Sequence, residues 1–195
     1  MRIEPIERES GNVEDAIRLY VRAFSFLGGS ENVDEKEIER RMREHIEKGV
    51  LLAAVKHDKV VGIFGSIPLR SCEDGENVIE VLSTNGIDVD GNEFIMSMLA
   101  VSEEYRGRGI GSILCHHGEM ESFVKSDMGR FFSRSGKDAI EMNSLLVSRG
   151  YKIVADGIFV TNGVLSREYI WTKTGDFRPE AKKEESNGNN TEARR

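Results

Sequence analysis

From Arg106 to Ser112 the chain reads RGRGIGS, with Gly107, Gly109 and Gly111 on alternate positions, Arg106 before the first, Arg108 between the first two and a hydroxyl at the end. Glycine lets backbone wrap closely around a bound group. Successive N–H groups at a helix start are unpaired and carry partial positive charge. The arginines add charge-assisted donors. The chemistry this spacing offers is an anion cradle, best suited to a phosphate or pyrophosphate. Two other phosphate binders fit less well. A nucleotide-hydrolysing loop needs Lys-Ser or Lys-Thr after its glycines, and neither pair follows here. A dinucleotide fingerprint has G-x-G-x-x-G in the first strand–helix unit, whereas these glycines are spaced G-x-G-x-G and lie mid-chain. A glycine-rich surface loop that binds nothing is the remaining alternative; it leaves the coincidence of glycines, arginines and a strand–helix junction unexplained.

The junction itself is read from the flanking residues. EFIMSMLAV, ending at Val101, is apolar on both faces and predicts a central strand; a helix is expected from about Gly109 to Val124. Upstream, RIEPI predicts a short strand, with Pro5 suited to an edge. GNVEDAIRLYVRAF predicts a helix with Asn12 as cap and Val13, Ile17, Tyr20, Val21 and Phe24 on one face. VDEKEIERRMREHIEKG predicts a charged helix with the stripe Ile38, Met42 and Ile46, stopped by Gly49. VLLAAV and VVGIFGSIPL form a hairpin pattern around KHDK. Residues 70–92 read as either strand extensions or a short helix. Downstream, GRFFSR predicts a strand, and DAIEMNSLLVSRG a helix with Ile140, Asn143 or Ser144, and Val147 inward. YKIVADGIFV and SREYIWTK predict a closing pair of strands. The expected architecture is one mixed α/β sheet of about six to seven strands with about four helices on both faces, over residues 1–174. Residues 175–195 have almost no apolar side chains and are expected to be disordered.

Composition bounds the function. The chain has 195 residues, 38% hydrophobic and 31% charged, enough for one domain with a sizeable core. A net charge of −7 argues against a general nucleic-acid surface, though not against a local basic patch. Cys72 and Cys115 read as free thiols. No apolar run is long enough to span a membrane, and the amino terminus lacks a signal-peptide pattern, so a cytoplasmic location is expected. CHHG at 115–118 suggests a metal or thiol site, but neighbouring residues on a helix point apart, so no metal is expected.

LAVSEEYRGRGIGSIL resembles the acyl-CoA-binding segment of the GNAT superfamily of N-acetyltransferases, whose signature of Arg or Gln, two residues, Gly, one residue, then Gly or Ala is met by Arg106, Gly109 and Gly111. RGYKIV after a helix resembles a second element of these enzymes. The resemblance implies a single-domain fold in which the strand EFIMSMLAV and the next parallel strand splay apart. The pantetheine of acetyl-CoA would pair with backbone around Leu99, Ala100 and Val101, and the pyrophosphate would rest on amides from Arg108 through Gly109, Ile110 and Gly111 to Ser112. It implies direct acyl transfer, with the Leu99 N–H polarising the thioester, to a primary amine of a small molecule or of a protein or peptide. A monomer or homodimer is expected, with no nucleic-acid or membrane partner.

The family's catalytic residues carry over poorly. The glutamate eleven residues before the loop's Arg corresponds to Ile95, leaving Glu93, two residues earlier on the same strand face, as the possible base. The leaving-group tyrosine corresponds to Leu146 and its accompanying asparagine to Ala139, so Tyr151 or Tyr105 would have to serve as acid. These departures keep open a non-catalytic alternative, an acyl-CoA-binding regulatory module of the same fold. The acceptor would enter past the loop SFLGGSEN, where Glu31, Asp34 and Glu35 would suit a cationic amine. FIMSMLAV also has some resemblance to protein amino-terminal acetyltransferases, and does not separate a peptide from a small-molecule acceptor.

Overall fold

The computed structural model describes residues 1–8, 10–25, 34–126, 129–161 and 164–174. The loop over 26–33, with Glu31, and the polar tail over 175–195 lie outside the described residues. The elements run β1 (Arg2–Pro5), α1 (Asn12–Ser25), α2 (Glu35–Lys48), β2 (Val50–Lys56), β3 (Lys59–Pro68), α3 (Gly75–Thr84), β4 (Phe94–Val101), α4 (Ile110–Ser126), β5 (Arg130–Gly136), α5 (Ile140–Ser148), β6 (Lys152–Thr161) and β7 (Val164–Thr174). The strands form one seven-stranded sheet in the order β1-β2-β3-β4-β5-β7-β6, with β1 and its Pro5 at one edge. Every neighbouring pair is antiparallel except β4 and β5, which α4 connects as a parallel crossover.

Both faces of the sheet are covered, which is why β2 and β3 are buried along most of their length instead of alternating. On one face α4 and α5 close over Phe64, Phe94, Met96, Phe131 and Trp171. On the other, Val13, Ala16 and Tyr20 of α1 and Ile38 and Met42 of α2 pack on Leu51, Ala53, Ile63, Met98 and Ala100. The same face continues under α3, whose Val78 and Leu82 meet Ile67, Ile95, Phe132 and Ile170.

Several expectations are corrected by this packing. The ambiguous stretch over 70–92 holds the helix α3, which adds an element between the third and fourth strands. Gly75 opens it because a Cβ there would fall 1.7 Å from the Leu69 carbonyl oxygen. Asn12 does not cap α1 through its side chain; its Nδ2 donates to Glu4 Oε1 at 2.8 Å. On α2 the buried residues are Ile38, Met42 and His45. On α5 the apolar stripe Ile140 and Val147 faces solvent, 72% and 62% exposed, while Leu146 is wholly buried beside Met142 and Leu145. Of the residues expected to face inward, Asn143 does so, as a polar latch. Its Nδ2 donates to the carbonyls of Gly136 and Lys137, and its Oδ1 accepts from Ser135 Oγ.

Gly118 marks where α4 comes closest to the sheet: a Cβ there would meet the ring of fully buried Phe64 at 2.0 Å. Overpacking of a rigid core costs about 1–3 kcal/mol. Gly118→Ala should therefore lower the unfolding free energy by that amount, read as a lower urea midpoint with the slope of the transition unchanged.

Candidate functional site

The site begins as a fault in the sheet. β4 and β5 are paired only from Phe94–Phe131 to Met96–Ser133, although both strands continue. At the same place β4 bulges against β3: Met96 is opposite Ser66 and Met98 opposite Gly65, leaving Ser97 without a partner. Beyond the bulge the pairing phase is set by the Ser102 N–H, which donates to the Val61 carbonyl at 2.9 Å. Residues of an antiparallel pair turn their N–H and C=O toward the partner at every second position. Ser102, Ala100 and Met98 therefore address β3. The backbone groups of Leu99 and Val101 point the other way, toward the gap where β5 has left.

The gap opens onto the glycine loop. Gly107 and Gly109 have φ of 69° and 78°, the left-handed region that favours glycine. Apart from their own chain neighbours, no atom of the described residues lies within 4 Å of where their Cβ atoms would be, so open space stands in front of them. α4 then starts at Ile110, and its first-turn amides have no partner within the helix. Arg106 folds back, its Nε donating to the Val101 carbonyl at 3.2 Å. A cleft of about 660 Å³ runs from Leu99, Ala100 and Val101 along Gly107, Gly109, Ile110, Gly111 and Ser112, walled by Met142 and Leu145 of α5 and reaching Ala23 and Phe24 of α1. Arg108 is not in its lining; its guanidinium stands over the Tyr105 ring, 5.4 Å from the centroid. At the closed end of the gap, the wholly buried Ser133 Oγ finds no hydrogen-bond partner among the described residues.

The start of α4 is held by a buried ion cluster that the sequence pattern did not reveal. Arg149, just past α5, binds Glu119 in bidentate fashion at 2.8 and 2.7 Å and donates from Nη1 to the Ser112 carbonyl at 3.1 Å. Lys173 of β7 reaches Glu119 Oε2 at 2.6 Å, and the Tyr151 hydroxyl donates to Oε1 at 3.0 Å. Burial raises the Glu119 pKa, but the hydrogen bonds from Arg149 and Lys173 outweigh it and hold the carboxyl below its usual range.

The family model described as the acetyltransferase (GNAT) family matches residues 13–142, two thirds of the chain. The chain belongs to the GNAT acetyltransferase family. Solved structures share its fold at low identity. The ribosomal-protein-alanine N-acetyltransferase from Brucella melitensis aligns with a TM-score of 0.67 and 17% identity, over 89% of this chain and 99% of that one. The ribosomal-protein-S18-alanine N-acetyltransferase from Escherichia coli gives 0.63 and 14%, over 92% and 97%. An aminoglycoside 6'-N-acetyltransferase complexed with coenzyme A gives 0.61 and 17%, over 92% and 98%. Comparison with curated protein sequences gives no match.

In this GNAT protein the residues expected to do acid–base work are occupied elsewhere. Glu93 is wholly buried, with Oε1 on Arg130 Nη2 at 2.6 Å and Oε2 accepting from the Gly91 N–H at 3.0 Å. It ties β4 to β5 at the end away from the gap. Tyr151 is buried as well. Burial, then the negative charge of Glu119, push its phenol far above the usual range, and its hydroxyl is engaged by Glu119. Tyr105 is half-buried beneath Lys56 and Arg108. Cys115 is sealed in the core with its thiol pushed up to about 12 by burial and by Glu119, and both cysteines are free. No group of three or more metal-ligating side chains occurs among the described residues, and none of the described helices is long and apolar enough to cross a membrane.

The Glu119 cluster carries a pH dependence. A carboxyl held below its ordinary value stabilises the fold fully above about pH 4.3 and loses that contribution as pH falls through its folded pKa. Glu119→Gln should cost about 3–5 kcal/mol at pH 7, as for a broken buried pair. It should also flatten the acid limb of a stability-versus-pH curve measured by urea unfolding.

Proposed function

We propose that the protein is an acetyl-CoA-dependent N-acetyltransferase that acts on a primary amine by direct transfer. The observation that carries the reading is the parting of β4 from β5 in front of the α4 glycine loop, which joins unpaired backbone groups to an anion cradle in one cleft. The residues present fit the donor. Backbone groups of Leu99 and Val101 can pair with its amide-bearing arm, and the Gly107–Ser112 turn offers donors to a pyrophosphate. Acetyl-CoA supplies the activated thioester. The Leu99 N–H, turned into the gap, is the donor assigned to the thioester carbonyl. The cleft, walled by Met142 and Leu145 of α5, orients the acyl group toward the end of α1, where an acceptor amine enters.

The acceptor is a primary amine of a small molecule or of a protein or peptide; the structural neighbours named above include enzymes of both kinds. Of the acidic residues at the entrance, Asp34 accepts from the Lys36 N–H at 3.0 Å as the cap of α2, and Glu35 is exposed on the same helix. A second reading, an acyl-CoA-binding regulatory module without turnover, is favoured by the engagement of Glu93 and Tyr151 in structural contacts and by Leu146 at the acid position.

Calorimetric titration with acetyl-CoA tests the reading. Gly111 is the informative variant, because a Cβ there would meet only Leu145 and Val101, each at an ordinary 3.8 Å. Gly111→Val should fold as the wild type and weaken acetyl-CoA by at least ~10-fold, about 1.4 kcal/mol. Consumption of bound acetyl-CoA separates the enzyme from the binding module. No binding to the folded wild type would overturn both.

A further inference from the structure

The bulged residue of β4 carries a side chain that no assigned role uses. Ser97 is exposed, lies one residue past the last β4–β5 pair, and falls on the face covered by α1 and α2, since Met98 beside it packs into that face. Its Oγ is 2.5 Å from Nε2 of His45, which projects from α2 and is only 5% exposed. The other ring nitrogen, Nδ1, is 2.7 Å from the Arg41 carbonyl oxygen. A carbonyl can only accept, so Nδ1 carries the ring hydrogen and Nε2 is left with its lone pair. The Ser97 hydroxyl is then the donor to Nε2. The imidazole reaches β4 by lying across Gly65 of β3, where a Cβ would stand 3.0 Å from the ring. A hydroxyl on the open side, a buried base behind it and a backbone carbonyl fixing the tautomer make the arrangement that activates a hydroxyl for proton transfer.

We propose that Ser97 and His45 form the proton relay that deprotonates the acceptor at the thioester, with Ser97 as the catalytic residue and His45 as the base acting through it. The proposal rests on the acetyltransferase reading above. The amine nitrogen forms the C–N bond as the C–S bond breaks. One N–H proton passes to Ser97 Oγ while the Ser97 proton passes to His45 Nε2. The imidazolium then returns that proton to the departing thiolate, through Ser97, and no external oxidant or reductant is involved. The same relay serves a water molecule in place of the amine, giving acetate. Burial favours the neutral imidazole, opposed by the hydrogen bond to the Arg41 carbonyl; the charged groups acting on the ring among the described residues are Glu44 and Arg41 of its own helix, with β3 and β4 contributing none.

The test compares wild type, Ser97→Ala, His45→Gln and Ser97→Thr. Acetyl-CoA consumption is followed with a peptide bearing a free amino terminus, with a diaminoalkane, and with water alone; acetyl-CoA affinity is measured by calorimetry. Ser97→Ala and His45→Gln should lower kcat/KM at least ~100-fold, within the range for general-base catalysis. Acetyl-CoA affinity should stay at the wild-type value, and Ser97→Thr should recover most of the rate. Because burial lowers the His45 pKa, the wild-type profile should lose rate only at a pH below the ordinary histidine value of about 6.5, and both inactive variants should lack that inflection. Equal rates in wild type and Ser97→Ala would overturn the relay and leave the enzyme reading standing. A wild type that binds acetyl-CoA yet consumes none, with either amine or with water, would overturn the enzyme reading and the relay with it.

Discussion

Among the described residues β4 and β5 are the only parallel neighbours in the sheet, and they stop pairing after Met96 and Ser133 while both strands run on. A buried backbone group left without a partner costs about 1–3 kcal/mol, so a sheet does not open at its centre without structures that hold it open. Here they are identifiable. At one end Glu93 and Arg130 fasten the two strands together. At the other, the cluster of Glu119, Arg149 and Lys173 fixes the first turn of α4 and the end of α5 against β7. Between them, the bulge at Ser97 resets the alternation of β4, so that Met96 and Leu99 face α4 and α5 while Ile95 and Met98 face the opposite side.

Two ligand-binding features follow from that one fault. The Leu99 backbone and the Val101 N–H, which a regular sheet would consume, are offered to the gap, while the Val101 carbonyl is taken by Arg106. The same fault leaves a short polar side chain, Ser97, exposed and hydrogen-bonded to His45 of α2. The glycine loop completes the cleft because its positive-φ residues stand at the mouth of the gap with nothing packed in front of them.

The strand–loop–helix unit around Gly107, Gly109 and Gly111 was legible in the sequence because it is local: an apolar run, turn residues and a helical pattern lie within a few turns of one another. The membership in the GNAT family was legible for the same reason. What could not be read depends on contacts distant in sequence. Whether Glu93 is a free carboxylate or half of an ion pair is decided by Arg130, 37 positions away. Whether Tyr151 donates or is buried is decided by Glu119, 32 positions away. On α5, Ile140 and Val147 and the group Leu145 and Leu146 make equally good apolar stripes, and only the tertiary packing shows that the second faces in. His45 lies outside the stripe Ile38, Met42 and Ile46 that the spacing picks out, and its contact with β4 depends on Ser97, 52 positions away. Ser97 carried no signal, since a bulge depends on the register of two strands.

The central claim is that the amides of Leu99 and Val101 stand free for a ligand, whereas those of Met98 and Ala100 belong to β3. Hydrogen exchange resolved to single residues by NMR tests it, without and with acetyl-CoA. The account predicts fast exchange at Leu99 and Val101 and slow exchange at Met98 and Ala100 in the free protein, with Leu99 and Val101 becoming protected when acetyl-CoA is added. Slow exchange at Leu99 and Val101 before any ligand is present, or no change there while acetyl-CoA binds, would contradict it.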